Sequence, residues 1–160
     1  GKLEPEILQL AFTELVIRHE ILRTTFHVED DEVWQEIHPV DEWPLPIVDL
    51  SHLSVDAANA ELQALATKEA TQGFDLSTGP LMRTSLIKLP ISTQRALLAT
   101  MHHMITDGWS LGLLMQELSA LYDAFSKGVA PSFSPLEIQY ADYAFWQRHW
   151  LECLPRRVVR

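Results

Sequence analysis

The sequence is poor in cysteine and in basic residues. Cys153 is the only cysteine, so the chain forms no internal disulfide and we expect a reducing, cytoplasmic location. Lysine and arginine number 12 against 22 acidic residues, which gives a net charge of -10 at pH 7. A nucleic-acid interface needs a basic face, and the one basic cluster is a short tail with Arg156, Arg157 and Arg160. We therefore expect no nucleic-acid partner.

Long apolar runs are also missing. No run reaches the ~18 residues that a membrane span needs, and no charged-then-apolar signal segment stands at the amino terminus. We therefore expect no membrane association. What is present is 160 residues, 47% hydrophobic and 21% charged, which is typical of a folded globular protein. This length suffices for one domain with a hydrophobic core.

Apolar spacing predicts four helices. The first begins at Pro5, a residue that suits the first turn, and the second is capped by Ser54. The third and clearest lies within residues 110–128, where Gly128 is placed to end it. An aromatic-rich stretch at 138–150 predicts the fourth.

Alternating and β-branched stretches predict the strands. A hairpin is expected over 26–37, with an acidic turn, and a short strand over 47–50. Two longer strands are expected over 81–90 and 95–103. The last is apolar on both faces, as a central strand is. The order of elements predicts an α/β or α+β fold with helices flanking a mixed sheet.

The stretch MHHMITDGWS, residues 101–110, carries the candidate chemistry. It stands between a predicted strand and a predicted helix, where sites on α/β sheets occur. If strand geometry persists to His103, the side chains of His102 and His103 point to opposite faces. Asp107 and Gly108 fall in the turn, and glycine there allows a close approach that a side chain would block.

Three interpretations of this cluster follow from the residues. The histidines can terminate the strand while Asp107 caps the next helix. A metal site is disfavoured because neighbouring strand residues face opposite ways. In a catalytic interpretation, one histidine acts on a proton or on developing charge near neutral pH. With no Gly-x-Ser-x-Gly motif and Cys153 far along the chain, that chemistry would be direct transfer between two bound substrates.

Three stretches, in order, resemble motifs of the condensation domains of nonribosomal peptide synthetases. They are RHEILRTTF at 18–26, MHHMITDGWS at 101–110 and YADYAFWQ at 140–147. The resemblance implies a chloramphenicol acetyltransferase-like two-layer α/β sandwich, of which this chain is a single lobe. In that family two lobes form a V with the active site between them.

The resemblance also implies an activity and roles for residues. The amine of an acceptor thioester attacks the carbonyl of a donor thioester, both held on 4'-phosphopantetheine arms of carrier proteins, and the domain itself binds no cofactor or metal. His103 matches the catalytic histidine, and His102 supports it. Asp107 would pair with Arg18 or Arg23, and Gly108 would line the approach to the reacting carbonyl.

The motifs cover only part of such a domain. We expect residues 1–150 to be an amino-terminal lobe, incomplete at both ends, and 151–160 to be a divergent tail. Expected partners are the donor and acceptor carrier proteins, the missing carboxyl-terminal lobe and an adenylation domain of the parent synthetase. The alternative is a catalytically silent module that binds a carrier protein or a partner lobe.

Overall fold

The computed structural model describes residues 3–30, 32–91 and 94–153. Its helical elements are α1 (Pro5–Arg18), a short 3-10 helix (Glu20–Arg23), α2 (Val55–Thr71), α3 (Gly108–Ser126) and α4 (Tyr140–Cys153). Its strands are β1 (Thr24–Glu29), β2 (Glu32–Ile37), β3 (Ile47–Asp49), β4 (Met82–Lys88) and β5 (Arg95–Met101). None of the helices in these ranges combines the length and hydropathy of a membrane span.

A three-stranded mixed sheet forms the centre of the fold. Its order is β3-β4-β5, with β3 parallel and β5 antiparallel to β4. The expectation that the strand at 95–103 is central is therefore wrong, because within the described residues β5 pairs only with β4. The central strand carries polar side chains that are satisfied internally: Thr84 accepts from the Trp43 indole at 2.8 Å, and Arg83 pairs with Glu69 at 3.0 Å.

Helices cover both faces of this sheet. Leu86 and Ile87 on β4 are fully buried, and as successive strand residues they point to opposite faces. Leu86 joins the larger core, with α1 and α3, whereas Ile87 joins a smaller core with α2. The predicted mixed sheet with flanking helices is confirmed. Helix α2 adds a layer to the two that the sheet and the α1–α3 pair make.

The predicted hairpin is also confirmed. Strands β1 and β2 form a separate antiparallel pair, with Thr24 opposite Ile37. The backbone N–H of Phe26 in β1 donates to the carbonyl of Leu76 at 2.8 Å. The hairpin is thus fastened to the loop that follows α2.

Local signals mark several helix ends correctly. The Ser54 hydroxyl accepts from the N–H of Ala57 at 3.3 Å, and Pro5 stands in the first turn of α1. Gly128 follows α3 with a φ of +67°, a conformation that favours glycine and closes the helix. Helix α4 runs to Cys153, so the boundary drawn at residue 150 falls within a helix.

Candidate functional site

The candidate residues lie in a turn over 102–107, called the histidine turn below. Strand β5 ends at Met101, and the N–H of Ile105 donates to the carbonyl of His102 at 3.0 Å. Strand geometry therefore stops before His102. The prediction that the two histidines face opposite sides of a strand does not apply, because a reverse turn carries them.

His102 holds the turn together. Its backbone N–H donates to the Leu81 carbonyl at 2.9 Å, which fastens the turn to the start of β4. Its ring Nδ1 accepts from the N–H of Met104 at 3.1 Å. Since Nδ1 accepts a hydrogen bond, the hydrogen of the neutral ring lies on Nε2. The half-buried ring also makes an edge contact with Phe74, with centroids 5.9 Å apart.

His103 is the exposed histidine of the pair. Its ring makes no hydrogen bond to any part of the chain that the structure describes, and it faces solvent in the turn. Trp109, at the start of α3, is 81% exposed. An imidazole without an internal partner can accept a proton from a bound molecule or donate one to it. The turn thus separates a structural histidine from an accessible one.

Asp107 caps helix α3. Its Oδ1 accepts from the N–H groups of Ser110, at 2.7 Å, and Trp109, at 3.1 Å. In return, the N–H of Asp107 donates to the Ser110 hydroxyl at 2.8 Å. The Ser110 hydroxyl also donates to Oδ1, at 2.8 Å. The bond from the Ser110 N–H first, and then the bond from its hydroxyl, hold the pKa of Asp107 below its ordinary value of 3.8. The carboxylate therefore completes a helix end.

The predicted pairing of Asp107 with an arginine is wrong. Arg18 pairs with Glu117 on α3, Nε to Oε2 at 3.2 Å, and Arg23 donates to the His38 carbonyl at 2.7 Å. Donors within three residues already surround the Asp107 carboxylate. A carboxylate from the facing helix satisfies Arg18 instead.

A second polar group, the Glu117 cluster, was missed from sequence. It comprises Arg18, His19, Glu117 and Gln139. His19 Nε2 lies 2.6 Å from Glu117 Oε2, and the Gln139 amide donates to the Arg18 carbonyl at 2.9 Å. One signal could have found it. Glu117 stands three residues after buried Leu114 and four before buried Leu121, which places it on the buried side of α3.

Gly108 begins α3 beside open space. A Cβ built on it would meet nothing within 4 Å, so packing among the described residues does not require a glycine. The role of Gly108 in admitting a substrate stays a prediction. Within the described ranges no three His, Cys, Asp or Glu side chains are grouped closely enough to hold a metal ion.

Sequence comparison places this chain beside known proteins. The family model described as Condensation domain matches residues 1–153. One polypeptide of the linear gramicidin synthase of Brevibacillus parabrevis is 42% identical over 152 residues. That match covers 95% of this chain and 2% of the synthase polypeptide, so the chain spans a small fraction of the curated relative.

Comparison with solved structures also finds domains of nonribosomal peptide biosynthesis. The X-domain from teicoplanin biosynthesis superposes with a TM-score of 0.83 at 33% identity, over 95% of this chain and 32% of that one. That X-domain has also been solved in complex with OxyB. The starter condensation domain of rhizomide synthetase matches in fold, with a TM-score of 0.83 at 24% identity over 94% of this chain and 36% of that one. The chain thus spans about a third of these structures.

Proposed function

The chain belongs to the condensation-domain family, whose members are acyltransferase-type enzymes, and from this premise we propose that it is the amino-terminal lobe of a domain that forms amide bonds in nonribosomal peptide synthesis. The observation that carries the proposal is the histidine turn. His103 is exposed there, in the matching motif, while His102 and Asp107 are engaged in internal hydrogen bonds.

The proposed reaction is direct acyl transfer. The amine of the acceptor attacks the thioester carbonyl of the donor, a C–N bond forms, and the C–S bond breaks. The amine loses a proton, and the departing thiolate of the donor arm gains one. His103 assists the amine, either by accepting its proton or by orienting it and stabilising the tetrahedral intermediate.

The proposed partners follow from the reaction and from the size of the chain. Donor and acceptor carrier proteins present the substrates on 4'-phosphopantetheine, and an adenylation domain of the same synthetase supplies the activated amino acid. The remaining two thirds of the domain supply the second lobe, since this chain covers 32–36% of the solved relatives. A site between two lobes is incomplete on one of them.

The test uses a two-lobe protein in which residues 1–153 precede the rest of a condensation domain, with both carrier proteins loaded. His103→Ala is expected to lower the rate of amide formation by ~10²-fold or more, the scale of a general base or a positioned donor. Its melting temperature should not change, because the side chain is exposed. Product is measured by mass spectrometry.

His102→Ala is the matched control. It should reduce the rate less and the melting temperature more, because His102 bonds within the turn. The 160-residue chain alone should form no product. Full turnover by the His103→Ala protein, or product from the single lobe, would contradict the proposal.

A second candidate function has its own support. The X-domain of teicoplanin biosynthesis, 34% identical to this chain with a TM-score of 0.80, was solved bound to OxyB. A domain of this fold can therefore serve as a docking module. The parent two-lobe protein and its His103→Ala variant distinguish the two functions. If both bind a loaded carrier protein and neither forms an amide, this chain is a docking module.

A further inference from the structure

Several hydrogen bonds hold the loop between α2 and β4 in place. The Oδ1 of Asp75 accepts from the N–H of Ser77 at 2.9 Å and from its hydroxyl at 2.7 Å, which closes a tight turn. The Leu76 carbonyl accepts from Phe26 of β1 at 2.8 Å. Phe74, one residue before this turn, packs against the larger core. The loop thus carries an aromatic ring to a fixed place.

Arg83 on β4 holds the Phe74 ring from one side. Its guanidinium lies 3.9 Å from the ring centroid, a close cation–π contact. The same guanidinium bonds to Glu69 Oε2 at 3.0 Å and to the Gln72 carbonyl at 2.9 Å. It also bonds to the Gly73 carbonyl at 3.3 Å. Because the end of α2 fixes Arg83, the ring it covers is fixed as well.

The Phe74 ring contacts the histidine turn. Its centroid lies 5.9 Å from that of the His102 ring, and the two planes meet at 80°. This is the edge-to-face geometry that aromatic pairs prefer. Phe74 therefore limits rotation of the His102 ring. Rotation would remove Nδ1 from the Met104 N–H that closes the turn.

We propose that Phe74 is a positioning residue for the histidine turn, and that Arg83 secures it. The chain of contacts runs from the end of α2 through Arg83 and Phe74 to His102, which fixes the turn that presents His103. This proposal rests on the proposed function only where it concerns the rate, because the geometry of the turn can be measured without any activity.

The first test is made by NMR on the 160-residue chain. In the parent chain the His102 ring should show Nε2 protonated and Nδ1 bare. Phe74→Leu keeps apolar bulk but removes the ring, and it should mix the two tautomers. Exchange of the Met104 amide hydrogen should accelerate about tenfold, since its bond to Nδ1 opens more often. Phe74→Tyr keeps a ring and should restore both signals.

Phe133→Leu is the matched control. Phe133 also lies under an arginine, Arg18, at 5.1 Å, but makes no ring contact with His102. It should leave the His102 tautomer unchanged. If Phe74→Leu fails to fold, Arg83→Leu serves as the second variant, with the same shift expected. Unchanged tautomer and exchange in the folded variants, or failure of Phe74→Tyr to restore them, would overturn the proposal.

The second test is kinetic and uses the two-lobe protein. Phe74→Leu should lower kcat about tenfold and leave the KM for the acceptor carrier protein unchanged, because a misplaced group loses rate rather than binding. Phe74→Tyr should recover most of kcat. A shift in KM alone would overturn the positioning role. Full activity of His103→Ala would refute the proposed function, yet the NMR result would still decide the role of Phe74.

Discussion

The Glu117 cluster and the Asp107 cap in the histidine turn each contain residues of a family motif, but their hydrogen bonds span very different distances along the chain. Arg18 and Glu117 are 99 residues apart, and their side chains are 15% and 21% exposed. In the histidine turn, Asp107 bonds to residues two and three positions away. The Glu117 cluster links α1, α3 and the residue just before α4, whereas the Asp107 cap lies within the connection between β5 and α3.

This difference separates motif residues that hold the fold together from a motif residue whose side chain is exposed to solvent. Arg18 and His19 share one partly buried carboxylate, and removing it would leave both without that partner. The His103 ring makes no hydrogen bond or ion pair within the described residues, and it faces solvent. The two groups should therefore respond differently to mutation.

The largest expected effect on stability is that of Glu117→Ala. It leaves Arg18 and His19 without their shared carboxylate, so we expect a loss of about 2–3 kcal/mol in the free energy of unfolding, below the loss for a fully dry pair. Urea denaturation measures it. Asp123→Ala on the same helix removes an exposed pair with Lys127 and should cost about 0.5 kcal/mol or less. Equal losses in the two variants would show that the Glu117 cluster stabilises the fold no more than the exposed pair of Asp123 and Lys127 does.

A smaller effect is expected of Asp107→Ala. The variant loses a helix cap, and the melting temperature should fall by about 2–4 °C. Asp107→Ser keeps a capping oxygen and should recover most of the loss. A double variant with Arg18→Ala should show additive changes, because the two side chains are not paired. A clear coupling energy would revive the arginine pair that the resemblance predicted.

The smallest effect is a pH dependence. The pKa of Asp107 is lowered in the folded chain by the Ser110 hydrogen bonds, so the charged form favours folding. This contribution is present above the ordinary value of 3.8 and is lost as the pH falls through the lower folded pKa. The melting-temperature difference between the parent and Asp107→Asn should therefore shrink as the pH falls below about 4. A difference that grows in acid would contradict the assignment.

Much of the fold could be predicted because its signals are local. The Ser54 cap, the end of α3 at Gly128 and the hairpin of β1 and β2 depend on residues a few positions apart. The cap at Asp107 belongs here too. It was one of the interpretations that the residues alone allowed, and the structure bears it out.

The rest depended on partners far along the chain. Apolar residues on both faces suggested a central place for β5, but the neighbours of a strand are set by topology. Strand β4 is central although it contains Arg83 and Thr84, because Glu69 and Trp43 satisfy them from elsewhere. The partner of Arg18 lies on a helix 99 residues later, beyond the reach of any local pattern.

The packing of α1 on α3 has a consequence for the time course of folding. On the ribosome, α1 is made about 100 residues before the helix that covers it, which at ~5–20 residues per second is an interval of roughly 5–20 s. A loop of this length costs little more free energy to close than a shorter loop, since each doubling of its length costs only about 0.6 kcal/mol. The contact between α1 and α3 nevertheless forms later than a local contact would. During that delay the apolar face of α1, with Leu8, Phe12 and Leu15, is open to chaperones and to other nascent chains. The helix that is synthesised first in the described chain is therefore fully buried only after α3 has been made.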